Sequence, residues 1–216
     1  MHDDTMTLYY IHDPMCSWCW AFRPVWTQLQ QALPESLQVE YLLGGLAPDS
    51  DAAMPLSMQQ TIQRHWSTIQ KRVPGTTFNF DFWTQCKARR STYPACRAVI
   101  AAKQQDPGRE DAMIHAIQTA YYLEARNPSD DDLLIDLAMQ LDLDVDQFRL
   151  DLNAENTEAR LLEEIRAGQA LGALGFPSLV LQIGDEIHSI AIDYNDPEPM
   201  LRQFGTTAEL DDFQIA

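Results

Sequence analysis

The sequence predicts a mixed α/β fold in the order β-α-β, a long helical block, then β-β-α. Three observations carry this. Short apolar runs bounded by turn residues lie near the two ends of the chain. Between about Pro55 and Gly168 the apolar residues recur at helical spacing instead. Gly184-Asp185, a pair suited to a tight hairpin turn, separates two of the terminal runs.

Leu8 to His12 reads as a buried strand, ended by the breaker pair Asp13-Pro14. Phe22, Val25, Trp26, Leu29 and Leu33 then fall on one face of a helix, with Pro24 expected to kink it. Leu37 to Leu43 is a second strand, closed by Gly44-Gly45. In the block that follows, Met58, Ile62, Trp66, Ile69 and Val73 line one face of a first helix, and Pro74 to Thr77 form a linker. Shorter helices surround Trp83 and run from Pro94 to Gln105. A further helix from Arg109 to Arg126 puts Met113, Ile117, Ala120, Tyr121 and Glu124 in register. Ser129-Asp-Asp-Asp132 reads as a capping box opening a helix from Leu133 to Leu141. The acidic run Asp142 to Asp151 reads as helix starts and a solvated face rather than an ion site. Strands Ser178 to Ile183 and Ile187 to Ile192 and a short helix from Pro197 complete the chain. The expected division is residues 1–54 with 170–216 as one unit and residues 55–169 as an inserted helical one.

Composition narrows the function. The 216 residues are 45% hydrophobic and 22% charged, an ordinary globular balance that needs neither disulfides nor metal to fold. Fifteen Lys and Arg against 32 Asp and Glu give a formal net charge of −17, which disfavours nucleic acid and anionic membranes as partners. The first residues are acidic where a signal peptide would be basic, and Leu8 to Ile11 is too short for its apolar core. No segment approaches the ~20 apolar residues of a membrane span. The expected location is therefore cytoplasmic.

Cys16-Ser-Trp-Cys19 admits three readings: half of a zinc site, a redox pair, or coincidence. A structural zinc site takes four ligands, usually as two close pairs. The other cysteines, Cys86 and Cys96, are separated by a Ser-Thr-Tyr-Pro break, and no second Cys-x-x-Cys or His-x-His occurs. Placement favours redox chemistry. Cys16 follows a strand and a turn and opens a helix, where unpaired N–H groups and the helix dipole stabilise a thiolate. Cysteines so placed have pKa values lowered to roughly 3.5–7.5. Cys19 lies one turn deeper, within reach of a disulfide, and only Cys16 is placed to attack, with its sulfur expected to face solvent.

Strand, Cys-x-x-Cys at a helix start and Pro24 resemble the thioredoxin superfamily, and the helical insertion resembles its DsbA-like branch. Asp13-Pro-Met-Cys-Ser-Trp-Cys-Trp20 is similar to the active-site segment of cytosolic DsbA-family oxidoreductases. Gly175-Phe-Pro-Ser178 is similar to the family's cis-proline loop, which lies against the active-site disulfide and offers backbone groups to a peptide. The resemblance implies a thioredoxin-like fold (βαβ…ββα) with a large all-helical insertion, and thiol–disulfide exchange by Cys16 and Cys19. It implies that Ser17, Trp18, Phe176 and Pro177 shape the substrate site, that no metal or bound cofactor is needed, and that protein thiols, protein disulfides or glutathione are the partners. Here the dipeptide between the cysteines has neither the proline nor the histidine of well-known relatives. Trp18 reads as a partly exposed lid or substrate contact, and Trp20 as packing. His12 could assist proton transfer but reads first as a border of the site. Cys86 and Cys96 read first as unpaired helical thiols, Cys96 near a helix start that faces the site in the family. The rival enzyme class is the related 2-hydroxychromene-2-carboxylate isomerases and kappa-class glutathione transferases, which typically carry serine at the first cysteine. A third class is a non-catalytic metal- or partner-binding protein. The sequence leaves open the direction of exchange, the substrate and the oligomeric state.

Overall fold

The computed structural model describes residues 6–208. Strand β1 (Met6–His12), helix α1 (Ser17–Ala32) and strand β2 (Gln38–Leu43) form the opening β-α-β unit. Strands β3 (Ser178–Ile183) and β4 (Glu186–Ile190) and helix α9 (Glu198–Ala208) form the closing β-β-α unit. They build one four-stranded sheet in the order β2-β1-β3-β4. β1 runs parallel to β2 and antiparallel to β3, with Leu8 between Val39 and Leu181, and Ile11 opposite Leu42 on one side and Ser178 on the other. The turn between β3 and β4 uses Gly184 at a φ of 55°, the left-handed region glycine enters without a side-chain clash.

Strand alternation sorts the two faces of β1. Leu8 and Tyr10 join Phe22, Val25, Trp26 and Leu29 of α1 and Met200 and Phe204 of α9 in one core. Ile11 points the other way, toward the long helix α8 (Glu155–Ala170). A side chain at Gly168 would stand 3.1 Å from the Ile11 Cγ2, so glycine lets α8 lie close against the sheet. The two units distant in sequence are thus joined through the central β1–β3 pair.

Between β2 and β3 lie α2 (Leu56–Arg72), α3 (Phe82–Gln85), α4 (Tyr93–Gln105), α5 (Glu110–Tyr122), α6 (Asp131–Gln140), α7 (Val145–Leu152) and α8, with a 3-10 turn at Pro107–Arg109. Their core is separate and strongly aromatic. Trp66 is fully buried and stacks on Phe78 at 4.8 Å, with Trp83, Tyr121 and Tyr122 at 5.1, 5.7 and 5.6 Å. No helix among the described residues is long and apolar enough to cross a membrane.

Several expected details differ. Ser129 does not cap α6: its hydroxyl donates to Ser91 O at 2.7 Å, and Asp130 is the N-cap residue, with no side-chain capping bond. The buried backbone carbonyl takes the hydroxyl that a solvated helix end would have used. Helix α5 stops at Tyr122 rather than Arg126, because Ala125 turns left-handed (φ 54°) and the Arg126 N–H closes back on Ala120 O at 2.9 Å. Glu124 is consequently exposed and outside the helix, and Met58, on the first turn of α2, is exposed as well. The last strand is Glu186–Ile190, ending before Ile192. Residues 1–5 and 209–216 of the expected outer unit lie outside the described residues.

Trp66→Ala should lower unfolding free energy by about 3–5 kcal/mol, the usual cost of emptying a buried aromatic site. Urea unfolding followed by circular dichroism checks it; a loss under 1 kcal/mol would mean the aromatic cluster does not hold the helices together.

Candidate active site

The site begins where β1 ends. The Gly44 N–H donates to His12 O at 2.6 Å, so the ends of β1 and β2 are tied together. Asp13 and Pro14 then turn the chain, and the turn is closed by Cys16 N–H to Asp13 O at 3.0 Å. The Asp13 carboxylate accepts the Met15 N–H at 2.8 Å, which fixes the loop from inside. Cys16 is the N-cap residue of α1 (φ −82°, ψ 118°), and the Trp20 N–H donates to its carbonyl at 3.1 Å. A cysteine at an N-cap has its sulfur among donors that the helix itself leaves unpaired.

The chemistry follows from that position. The Cys16 thiol is lowered below its ordinary pKa by the hydrogen bond from the Cys19 thiol, against the effect of burial, and with help from the Cys19 and Trp18 N–H groups. Cys19 is pushed up well above the ordinary value, first by burial and then by the bond and charge it shares with Cys16. The two thiols therefore differ: Cys16 gives up its proton more readily than Cys19. All four cysteines are free thiols.

The expectation that Cys16 faces solvent is corrected. The residue is 8% exposed, against 1% for Cys19. Its Sγ lies 3.4 Å from Phe176 O, on the loop that leads into β3. The register of β3 on β1 brings this loop over the helix start, which sequence separation alone cannot show. The Phe176–Pro177 peptide bond is cis. Phe176 and Pro177 are half-buried, as are Ser17 and Trp18 beside the cysteines. Trp18 packs on Tyr194 at 4.9 Å. Trp20 stacks on Tyr122 at 5.6 Å and donates to Thr77 O at 3.1 Å, anchoring α1 to the helical block. Next to Phe176 a cleft of about 230 Å³ opens between Gly44, Leu46, Ile165 and Leu174. A Cβ at Gly44 would stand 1.9 Å from the Phe176 ring, so any larger residue there would displace that ring. A wider polar recess of about 890 Å³, between Asp49, Arg89 and Asp130, contains none of the cysteines.

Other titratable candidates are placed clearly. His12 is buried, stacks on Tyr10 at 4.9 Å and meets Tyr41 edge-on at 5.7 Å. Neither ring nitrogen has a hydrogen-bond partner among the described residues, and burial lowers its pKa from 6.5 to about 3, with the Arg23 charge adding to the effect. It is a neutral core ring. Cys86 and Cys96 are not brought together: Cys86 Sγ lies 2.9 Å from Ala125 O, while Cys96 Sγ lies 3.6 Å from Asp13 Oδ2. No cluster of three or more His, Cys, Asp or Glu residues suited to a metal ion occurs among the described residues. Asp13 is the residue sequence reasoning missed. It read as turn punctuation, and nothing local signals that its carboxylate is fully buried against another part of the chain.

A Cys-x-x-Cys pair at the first turn of a helix, on a βαβ…ββα sheet with a helical insertion, defines a DsbA-like protein of thioredoxin fold. The sequence profile described as thioredoxin matches residues 9–198, and the chain belongs to that family. Among solved structures it is similar to a protein of Nitrosomonas europaea provisionally named a protein disulfide isomerase, at 27% identity and a TM-score of 0.84, covering 95% of this chain and 98% of that one. It is also similar to the cytosolic disulfide reductase DsbM of Pseudomonas aeruginosa, at 25% identity and a TM-score of 0.75, covering 94% and 98%. That protein has also been solved with glutathione. A curated relative, the ClpXP adapter protein SpxH of Halalkalibacterium halodurans, is 23% identical over 160 residues, 72% of this chain and 52% of that one. The chain thus spans about half the length of the curated relatives it matches.

Two outcomes follow from the electrostatics. Thiolate absorbance in the reduced protein should show Cys16 titrating below the ~8.5 of a free cysteine, absent in Cys16→Ser. Its folded pKa is depressed, so its stabilisation of the reduced fold is present above the unfolded pKa and lost as pH falls through the folded one. His12 has the same sign: stability is present above pH 6.5 and lost as pH falls toward about 3, because only the unfolded chain takes the proton there. His12→Phe should therefore remove about 2 kcal/mol of the stability lost between pH 7 and pH 5, measured by urea unfolding at both pH values. An equal pH dependence in the two proteins would show that His12 titrates normally.

Proposed function

We propose that this chain is a thiol–disulfide oxidoreductase in which Cys16 exchanges with the substrate and Cys19 resolves the intermediate. The observation that carries the reading is the placement of the pair, Cys16 as the N-cap residue of α1 and Cys19 buried in its first turn, which lowers the Cys16 thiol and raises that of Cys19. The Cys16 thiolate attacks one sulfur of a substrate disulfide, a Cys16–substrate bond forms, and the other substrate sulfur leaves as a thiolate. Cys19 gives up its proton and attacks Cys16 Sγ, closing the Cys16–Cys19 disulfide and releasing the second substrate thiol. The substrate is reduced by two electrons and the pair is oxidised by two. Two equivalents of a thiol such as glutathione return the pair to the dithiol. Ser17, Trp18, Phe176 and Pro177 border the reacting sulfur and form the substrate surface.

Likeness to a cytosolic disulfide reductase and the chain's acidity support a cytoplasmic reaction on protein disulfides or on glutathione disulfides, with neither nucleic acid nor membrane as partner. Isomerase activity belongs to the same reading, since a mixed disulfide at Cys16 can be displaced by another substrate thiol. A second reading, a partner-binding adapter, is favoured by the name of the curated relatives. It requires no turnover at the cysteines.

Cys19→Ser should accumulate mixed disulfides on Cys16, whereas Cys16→Ser should trap nothing and Cys86→Ser or Cys96→Ser should behave like the wild type. Acid quenching, thiol blocking and non-reducing gels of each purified variant check this. Equal trapping by Cys16→Ser and Cys19→Ser would overturn the division of roles. A wild type that binds partners but never exchanges thiols would favour the adapter. A glutathione adduct at Cys16 without reactivity toward protein disulfides would favour a glutathione-dependent isomerase or transferase.

A further inference from the structure

The Asp13 carboxylate is a charge in an unusual place. It is 0% exposed, directly behind the cysteine loop, and none of its partners among the described residues is a cation. Four donors surround it instead. Oδ1 accepts the Met15 N–H at 2.8 Å; Oδ2 accepts the Leu46 N–H at 2.7 Å and the Thr92 hydroxyl at 2.7 Å, with the Cys96 thiol at 3.6 Å. These donors come from three segments: the cysteine loop, the loop after β2, and the start of α4. Thr92 is the N-cap residue of α4, yet its hydroxyl makes no capping bond there; it donates to Asp13 and accepts the Ala47 N–H at 3.1 Å. Burial pushes the Asp13 carboxyl above its ordinary pKa, and the four donors act against that rise, so a site that gives up a helix cap to donate to the carboxylate favours its charged form.

That charge is felt by the sulfurs. It raises the pKa of both Cys16 and Cys19, and the Asp13 backbone N–H partly compensates at Cys19. The other titratable groups facing it are Tyr93, Cys96, Tyr121 and Tyr122, none of them cationic. In a disulfide neither sulfur carries charge, so a nearby anion opposes the dithiol–thiolate form and leaves the disulfide untouched. A couple whose reduced form is disfavoured gives up its electrons more readily.

We propose that Asp13 is a positioning residue of the cysteine pair that acts by its buried negative charge, making the Cys16–Cys19 couple a stronger reductant. The proposal rests on the thiol–disulfide reading above and adds the direction in which the couple is biased.

The test compares Asp13→Asn, Thr92→Val and Thr92→Ser with the wild type by two measurements: equilibrium of the Cys16–Cys19 couple in glutathione buffers, and thiolate absorbance of Cys16 against pH. Asp13→Asn should lower the equilibrium constant for disulfide formation about tenfold, which is ~30 mV for a two-electron couple. It should also move the Cys16 titration down by about one pH unit. Thr92→Val, which deprives the carboxylate of its strongest side-chain donor, should shift both readouts the same way but less, and Thr92→Ser should restore them. If Asp13→Asn does not fold, the Thr92 pair decides. A loop that is merely loosened would carry Cys16 away from the first-turn N–H groups and move its titration up, so an upward or absent shift overturns the proposal. Should the wild type form no Cys16–Cys19 disulfide, the redox reading fails, and the Cys16 titration alone still decides the role of Asp13.

Discussion

A carboxylate removed from water without a cation beside it is costly, by several kcal/mol even after relaxation, unless hydrogen bonds replace its hydration. At Asp13 four donors offset part of that cost, burial still raising the carboxyl's pKa, and the rest of the site depends on that exchange. Met15 N–H fixes the cysteine loop, Leu46 N–H fixes the exit from β2, and Thr92 fixes the start of α4, all on one pair of oxygens. The sheet and the helical block have separate hydrophobic cores. Polar bonding at Asp13 and the Trp20 contacts with Thr77 and Tyr122 connect them where α1 begins. The helical block thus touches the chemistry from behind, through the loop that carries Cys16.

The front of the site is made by topology. β1 and β3 are antiparallel neighbours, with Ile11 opposite Ser178, so the end of β1 and the start of β3 lie at the same edge of the sheet. The loop before β3 therefore passes over the helix that follows β1, and Phe176 O comes to rest 3.4 Å from Cys16 Sγ. The close approach of Phe176 to Gly44 belongs to the same constraint, since β2 ends beside β1. One sheet edge thus gathers residues from three distant stretches of sequence.

Much of this is legible in the residues. Phe22, Val25, Trp26 and Leu29 repeat at helical spacing because one face of α1 must cover the sheet, and all four are buried. Gly184-Asp185 marks its turn because the left-handed position there suits glycine. Cys16 at a strand-to-helix junction is legible for the same local reason. What fails is whatever a distant partner decides. Ser129 has the spacing of a capping residue, but Ser91 O, far along the chain, takes its hydroxyl. Periodicity carries α5 past Tyr122, but the left-handed Ala125 ends it. Cys16 reads as an outward sulfur, but the β3 loop covers it. Asp13 reads as a turn residue, and its second oxygen finds partners only once Leu46 and Thr92 have been folded against it.

The opposing influences on Cys16 then make chemical sense together. The Cys19 thiol and the first-turn N–H groups favour the thiolate; burial and the Asp13 charge oppose it. An attacking thiolate gains abundance as its pKa falls but loses intrinsic nucleophilicity, with a Brønsted coefficient of about 0.4–0.5, so attack is fastest when the pKa lies near ambient pH. A helix start alone, with nothing against it, favours an abundant but sluggish nucleophile and a couple biased toward the dithiol. An anion behind the loop counters both tendencies at once, because the same negative charge raises the energy of the thiolate and leaves the neutral disulfide unaffected. The balance between helix start and buried carboxylate, rather than either alone, is the means by which this scaffold can set the reactivity and the bias of one pair of sulfurs.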